Sequence, residues 1–138
     1  MADKEFVLQI VSPDRVFFEG TVSMVELTTS EGEIGVYAGH IPMTNILMPG
    51  ILHIAQAGGE DKYAAVHEGF IEILPDKMVV LAEVAEWPDE IDVNRANEAK
   101  IRAERRLSEK NADLDTARAE LALRRAMTRI EVAQRYGR

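Results

Sequence analysis

The 138-residue sequence has no cysteine, and residues 89–138 hold no proline and a single glycine, Gly137. Without cysteine there is no disulfide framework, thiolate nucleophile or thiolate zinc site, and a reducing interior suits the chain. Hydrophobic runs are short. The longest, around Ile46 to Met48 and Met78 to Ala82, fall far below the ~20 residues that span a bilayer. The start, Met1-Ala2-Asp3-Lys4-Glu5, lacks the basic and then apolar pattern of an export signal. The expectation is therefore no export, with any membrane association made through a partner. Basic charge is scarce over residues 1–88, where 14 Asp/Glu face 4 Lys/Arg for a net charge of −10, and the whole chain carries −8. So acidic a protein is a poor ligand for nucleic acid, whose phosphates need a dense basic surface. The length of about one domain leaves little room for a large enzyme, while 46% apolar residues suffice for a packed core.

Turn residues and charge divide the chain at one place. All five prolines and eight of the nine glycines precede residue 89, whereas ten of the eleven arginines follow it, where the net charge is +2. The first part, 1–88, reads as a β-sandwich domain of about eight to ten strands. Phe6, Leu8 and Ile10 alternate on one face; Val25 and Leu27 oppose Glu26 and Thr28; Met78, Val80 and Ala82 oppose Val79, Leu81 and Glu83. Gly58-Gly59-Glu60-Asp61 predicts a hairpin tip between Ile51–Ala57 and Lys62–Val66, and Glu68-Gly69 and Pro75-Asp76-Lys77 mark further turns. The second part, 89–138, is rich in Ala, Arg, Glu and Leu, all good helix formers. Pro88 disfavours helix at Trp87, Asp89 or Asp92 is placed to cap, and a helix is expected from about Val93 to Leu107. Ser108-Glu109-Lys110-Asn111 interrupts it, Asp113 offers a second cap, and a second helix is expected from about Leu114 to Gln134. The whole is an α+β chain, a sandwich followed by an antiparallel helical hairpin.

Chemistry is sparse. No phosphate-binding glycine loop, dinucleotide fingerprint, zinc-protease helix or calcium loop is present. His40, His53 and His67 are scattered without metal-ligand spacing, His53 and His67 reading as ordinary strand residues, and Glu31 and Glu33 read as parts of a solvated turn. One arrangement stands out. At about 100° per residue, Arg95, Arg102 and Arg106 fall within a stripe about 40° wide, and Arg118, Arg125 and Arg129 repeat that spacing. Ala99 and Ala122 lie near the stripe centres. With both stripes turned inward, up to six guanidiniums would converge and need a counter-charge, for which a phosphate-bearing polyanion is well matched. Two other readings stand beside that one: ordinary solvated faces, with Glu98 and Asp115 forming local pairs, or a surface for an acidic protein.

Two stretches carry a family resemblance. Ser30-Glu31-Gly32-Glu33-Ile34-Gly35-Val36-Tyr37-Ala38-Gly39-His40-Ile41-Pro42-Met43 with Met48-Pro49-Gly50-Ile51, and Ile91-Asp92-Val93-Asn94-Arg95-Ala96 with the arginine-rich tail, together resemble the epsilon subunit of bacterial F-type ATP synthases over essentially the whole chain. Where the family often has Tyr-Pro-Gly-His-Ala-Pro, this sequence has Tyr37-Ala38-Gly39-His40-Ile41-Pro42. The resemblance implies a non-catalytic subunit of the F1 sector. Its sandwich would sit at the foot of the central stalk against the gamma subunit and the c-ring, at the cytoplasmic face of the bacterial cell membrane. Its helices, extended along the stalk against the alpha/beta catalytic head, would inhibit ATP hydrolysis. No cofactor is required. In some members the folded hairpin binds regulatory ATP, and the residues that match that site are Ile91, Asp92, Arg95, Ala96, Arg102, Arg125 and Arg129, with Glu86 and Arg118 at peripheral positions. Asp92 and the backbone at Ala96 would address adenine, and the arginines the phosphates. Glu33 and His40 match surfaces facing the c-ring and gamma. Arg106 has no counterpart. A purely structural coupler with no nucleotide site, or a nucleotide sensor outside any synthase, are the rival expectations.

Overall fold

A computed structural model describes residues 4–109 and 115–137. Among these, the first part forms β1 (Phe6–Ser12), β2 (Arg15–Val22), β3 (Met24–Thr29), β4 (Gly32–Tyr37), β5 (Met43–Leu47) and β6 (Gly50–Ala55). It continues through β7 (Lys62–Val66), β8 (Gly69–Ile73), β9 (Lys77–Ala82) and the short β10 (Ala85–Glu86). Strand order is β10-β7-β6-β3-β5-β8-β9-β1-β2, with β4 hydrogen-bonded to β3. Pairing is antiparallel except between β1 and β9. The path folds over so that the alternating apolar residues meet in one core: Leu8, Ile10, Val25, Leu27, Leu52, Ile54, Ile71, Met78 and Val80 are all fully buried.

The two ends of this path are drawn together by side chains. Arg15 on β2 donates from Nη2 to the carbonyl of Ala85 on β10 at 3.3 Å and forms an ion pair with Glu90 at 2.8 Å. Phe17 stacks on Trp87, just past β10, with centroids 4.1 Å apart. The sandwich is thereby nearly closed, which shields both edges from further strand pairing. The hairpin tip falls between β6 and β7 as the sequence predicts, with Gly58 at φ +73°, a conformation that glycine adopts without strain. The expected turn at Glu68-Gly69 joins β7 to β8, and Gly69 has a second purpose. It begins β8, and a Cβ there would stand 1.8 Å from the carbonyl oxygen of Leu81.

After a 3-10 turn, Pro88–Glu90, the chain enters α1 (Val93–Ser108) and then α2 (Thr116–Tyr136). Of the two proposed first caps, Asp92 does the work: its Oδ1 accepts from the Arg95 amide at 3.0 Å, while Asp89 stays in the 3-10 turn. Asp115 caps α2, accepting from the Arg118 amide at 3.1 Å. Such caps contribute about 1 kcal/mol each. The expected cap at Asp113, like the expected helix start at Leu114, lies outside the described residues. No helix among the described residues is long and apolar enough to cross a membrane.

The helices meet along alanines, and this corrects the inward arginine stripes. Ala96 and Ala103 on α1, and Ala119 and Ala126 on α2, are buried. Each pair is seven residues apart and so lies on one face. Small side chains let the two backbones approach closely, and the arginines one position earlier are rotated about 100° to the margin of this seam. Arg106 and Arg118 are exposed. The hairpin docks on the sandwich through Val132, which packs with Ile91 and Ala65 and is flanked by Ile51, Ala133 and Tyr136.

Candidate functional site

Where the start of α1 meets β10, a cavity of about 330 Å³ opens, lined by Glu86 and Glu90, by Asp92, Arg95, Ala96, Ala99 and Arg102, and by Arg129 of α2. Arg95 and Arg102 reach it because they lie two turns apart on the same margin of α1. Neither has a carboxylate partner among the described residues. Arg129 enters from the other helix, its Nε donating to Glu86 Oε1 at 2.6 Å. Glu90 is already engaged by Arg15. The cavity therefore has two guanidiniums with no ion-pair partner among the described residues and a third held by Glu86. This is the charge pattern of a site for a phosphate-bearing anion.

Six of the residues singled out in the sequence, Glu86, Asp92, Arg95, Ala96, Arg102 and Arg129, thus share one cavity. Ile91 is buried beneath it in the contact between hairpin and sandwich. Arg125 does not line it. Its guanidinium is paired with Glu68, Nε donating to Oε1 at 2.9 Å. Arg118 is exposed, and its amide is engaged at the α2 cap. Glu33 and His40 lie at opposite ends of β4. Glu33 is exposed beside a second cavity, and the ring of His40 lies in the following turn, with Nδ1 2.9 Å from the carbonyl of Ile41.

Glu86 is among the residues the resemblance singles out, but its pairing with Arg129, and that of Glu68 with Arg125, was not legible in the sequence. Glu68 is 57 residues from Arg125, and Glu86 is 43 from Arg129, beyond any helical spacing rule. Arg125 holds the Glu68 carboxyl below the usual carboxylate range. Burial pushes Glu86 up, but the nearby His67 ring and Arg129 outweigh it, and the group sits low. Among the described residues, buried His67 has no hydrogen-bond partner at either ring nitrogen.

The second cavity, about 450 Å³, lies under the end of α2 and is bordered by Glu26, Glu33, His53, Tyr63, Glu131, Arg135 and Tyr136. His53 is more than a strand residue. Its Nδ1 is 2.7 Å from Glu26 and its Nε2 is 2.8 Å from Asp61. Burial disfavours its charge, yet the two carboxylates prevail and raise its pKa. The imidazole stacks on Tyr63 at 4.5 Å, and Tyr63 stacks on Tyr136 at 3.7 Å.

An apolar row runs across the outside of the sandwich. Ile46 pairs with Phe70, Phe70 with Leu81, Leu81 with Val11 and Val11 with Val16, crossing β5, β8, β9, β1 and β2. Ile46, Phe70, Leu81 and Val16 are 50%, 59%, 49% and 55% exposed, far more apolar surface in one line than scattered exposure gives.

Two family models match the chain in succession. The first, ATP synthase, Delta/Epsilon chain, beta-sandwich domain, covers residues 5–88; the second, ATP synthase, Delta/Epsilon chain, long alpha-helix domain, covers residues 89–134. The chain belongs to the ATP synthase delta/epsilon family. It is 47% identical to the ATP synthase epsilon chain of Bacillus cytotoxicus, over 94% of this chain and 97% of that protein. It is 45% identical to the epsilon chain of Ruminiclostridium cellulolyticum, over 94% and 96%. Among solved structures, a chain of the Euglena gracilis mitochondrial ATP synthase OSCP/F1/c-ring assembly superposes with a TM-score of 0.81 at 24% identity, covering 97% of this chain and 83% of that one. A chain of the Tetrahymena thermophila mitochondrial ATP synthase central stalk and c-ring gives 0.57 at 14% identity, covering 96% of each. Along nearly its whole length the chain thus follows the ATP synthase epsilon chains, a family of non-catalytic subunits.

Proposed function

We propose that the sandwich couples the central stalk to the membrane ring and that the hairpin is a nucleotide-responsive regulator of ATP hydrolysis. The observation that carries the regulatory half is the convergence of Arg95, Arg102 and Arg129, from two helices, on one cavity beside Asp92 and Ala96. ATP bound there joins α1 to α2 and favours the folded hairpin. The extended hairpin, its arginines turned to acidic surfaces of the alpha/beta head, inhibits hydrolysis. Nucleotide shifts this balance only by its differential affinity for the folded form. Arg125 contributes after leaving Glu68.

The apolar row from Ile46 to Val16 is the surface for the gamma subunit, with Glu33 and His40 toward gamma and the c-ring. Continuous apolar exposure of this kind suits a lasting protein contact. The subunit works at the cytoplasmic face of the bacterial membrane, attached through the complex, and serves a synthase driven by a proton or sodium gradient.

A second reading is favoured by the ion pairs Arg125–Glu68 and Arg129–Glu86: a structural coupler whose hairpin is latched by its own acids and takes no nucleotide. Calorimetric titration of the purified chain with ATP separates the two. The regulatory reading expects saturable binding, weakened at least about tenfold when Arg125→Ala and Arg129→Ala are combined, because each charged hydrogen bond lost is worth roughly 1.5–3 kcal/mol. No saturable heat at cellular ATP concentrations leaves the coupler.

A further inference from the structure

His67 occupies an expensive position. The ring is 1% exposed, and neither nitrogen has a hydrogen-bond partner among the described residues, an uncommon condition for a buried polar group. Its nearest acidic atom is Glu86 Oε1, 3.9 Å from Nε2. That same oxygen accepts from Arg129 Nε. Glu86 thus stands between two donors, one on the hairpin and one inside the sandwich, and only the first is in hydrogen-bond contact.

We infer that Glu86 exchanges Arg129 for His67 when a phosphate-bearing ligand takes Arg129, making His67 a positioning residue of the hairpin site. The inference rests on the nucleotide reading proposed above. A ligand phosphate that claims Arg129 leaves Glu86 a half-buried carboxylate without its cation, a costly state. The His67 tautomer with its proton on Nε2 supplies a donor after a closure of about 1 Å, which brings the pair to ordinary hydrogen-bond length. Glu86 is then held back from the incoming phosphates instead of repelling them. His67 also acts electrostatically on Glu68, the next residue in the chain, which Arg125 neutralises. Without nucleotide the Glu68–Arg125 pair stays in place, so loss of the Arg129 contact alone leaves His67 one acceptor, Glu86.

Ring-nitrogen NMR of the full chain tests the exchange without nucleotide. In Arg129→Gln, Nε2 of His67 is expected to become a hydrogen-bonded donor, with a shifted resonance, and the change should vanish when Glu86→Gln is added. Unaltered His67 resonances in Arg129→Gln overturn the inference. A second arm titrates ATP into the wild type, His67→Phe and His67→Gln. Loss of the donor in His67→Phe is expected to weaken binding about tenfold, and the amide donor in His67→Gln to restore most of it. Equal affinity in the wild type and His67→Phe overturns the role in binding. A wild type that binds no ATP overturns the nucleotide reading, while the NMR arm still decides whether Glu86 changes partner.

Discussion

One methyl group is too many at Gly69. A Cβ there would lie 1.8 Å from the Leu81 carbonyl oxygen, and backbone cannot swing aside as a side-chain tip does. Gly69→Ala is expected to cost about 3 kcal/mol, the upper end for forced overpacking, measured as a fall in the denaturant midpoint of the sandwich. Phe70, its neighbour, faces outward in the middle of the apolar row, so Phe70→Asp should leave that midpoint nearly unchanged. Its effect belongs to the partner: loss of gamma-subunit co-purification is expected, and full retention would remove the row from the docking surface. Part of this was written in the sequence. Val79 and Leu81 are apolar on the face of β9 that points away from the core, a hint that this face is covered in the assembly. The tight contact at Gly69 was hidden, because it depends on which strand becomes the neighbour.

At the scale of elements, alternation over β1, β3 and β9, the change of period after Trp87-Pro88, and Asp92 as a cap could all be read locally, because each depends on neighbours a few residues away. The rotation of the hairpin could not. Arg95 and Arg102 share their seven-residue spacing with Ala96 and Ala103, so periodicity alone cannot say which set turns inward. Packing decides: methyl groups fill a close seam at no desolvation cost, whereas facing guanidiniums would be buried and repel. Ala126→Leu should therefore separate the helices at a cost of about 1–3 kcal/mol, visible as faster amide exchange in α1 and α2 with the sandwich unaffected.

The end of α2 carries a pH dependence. His53 has a raised pKa in the folded chain, so its stabilising contribution is complete below the unfolded value of about 6.5 and is lost as pH rises through the folded value. Glu68 and Glu86 have lowered pKa values, so their contributions are present above the ordinary carboxylate value of about 4.3 and are lost as pH falls below it. Docking of α2 should be firmest between these limits. Amide exchange near Tyr136 measured from pH 6 to 8 (a window set by the imidazole) should quicken more than base catalysis alone accounts for, and His53→Gln should abolish that excess.

For the whole molecule, the charge division between the two parts acquires a meaning that net charge does not convey. The acidic sandwich lends Glu68 and Glu86 to a hairpin whose own acids and bases nearly balance, and these two pairs hold arginines that the proposed phosphate ligand would also use. In that proposal, folding and ligand binding draw on the same guanidiniums. The pairs are partly exposed, so each is weak enough to be exchanged. Hydrogen exchange of the full chain with and without ATP examines this directly, since a ligand that binds only the folded hairpin must slow its opening. Stronger protection of the amides around Ala96–Arg102 and Ala126–Val132 with ATP present, absent when Arg102→Ala and Arg129→Ala are combined, is the predicted result. Identical exchange of both helices with and without ATP would contradict it.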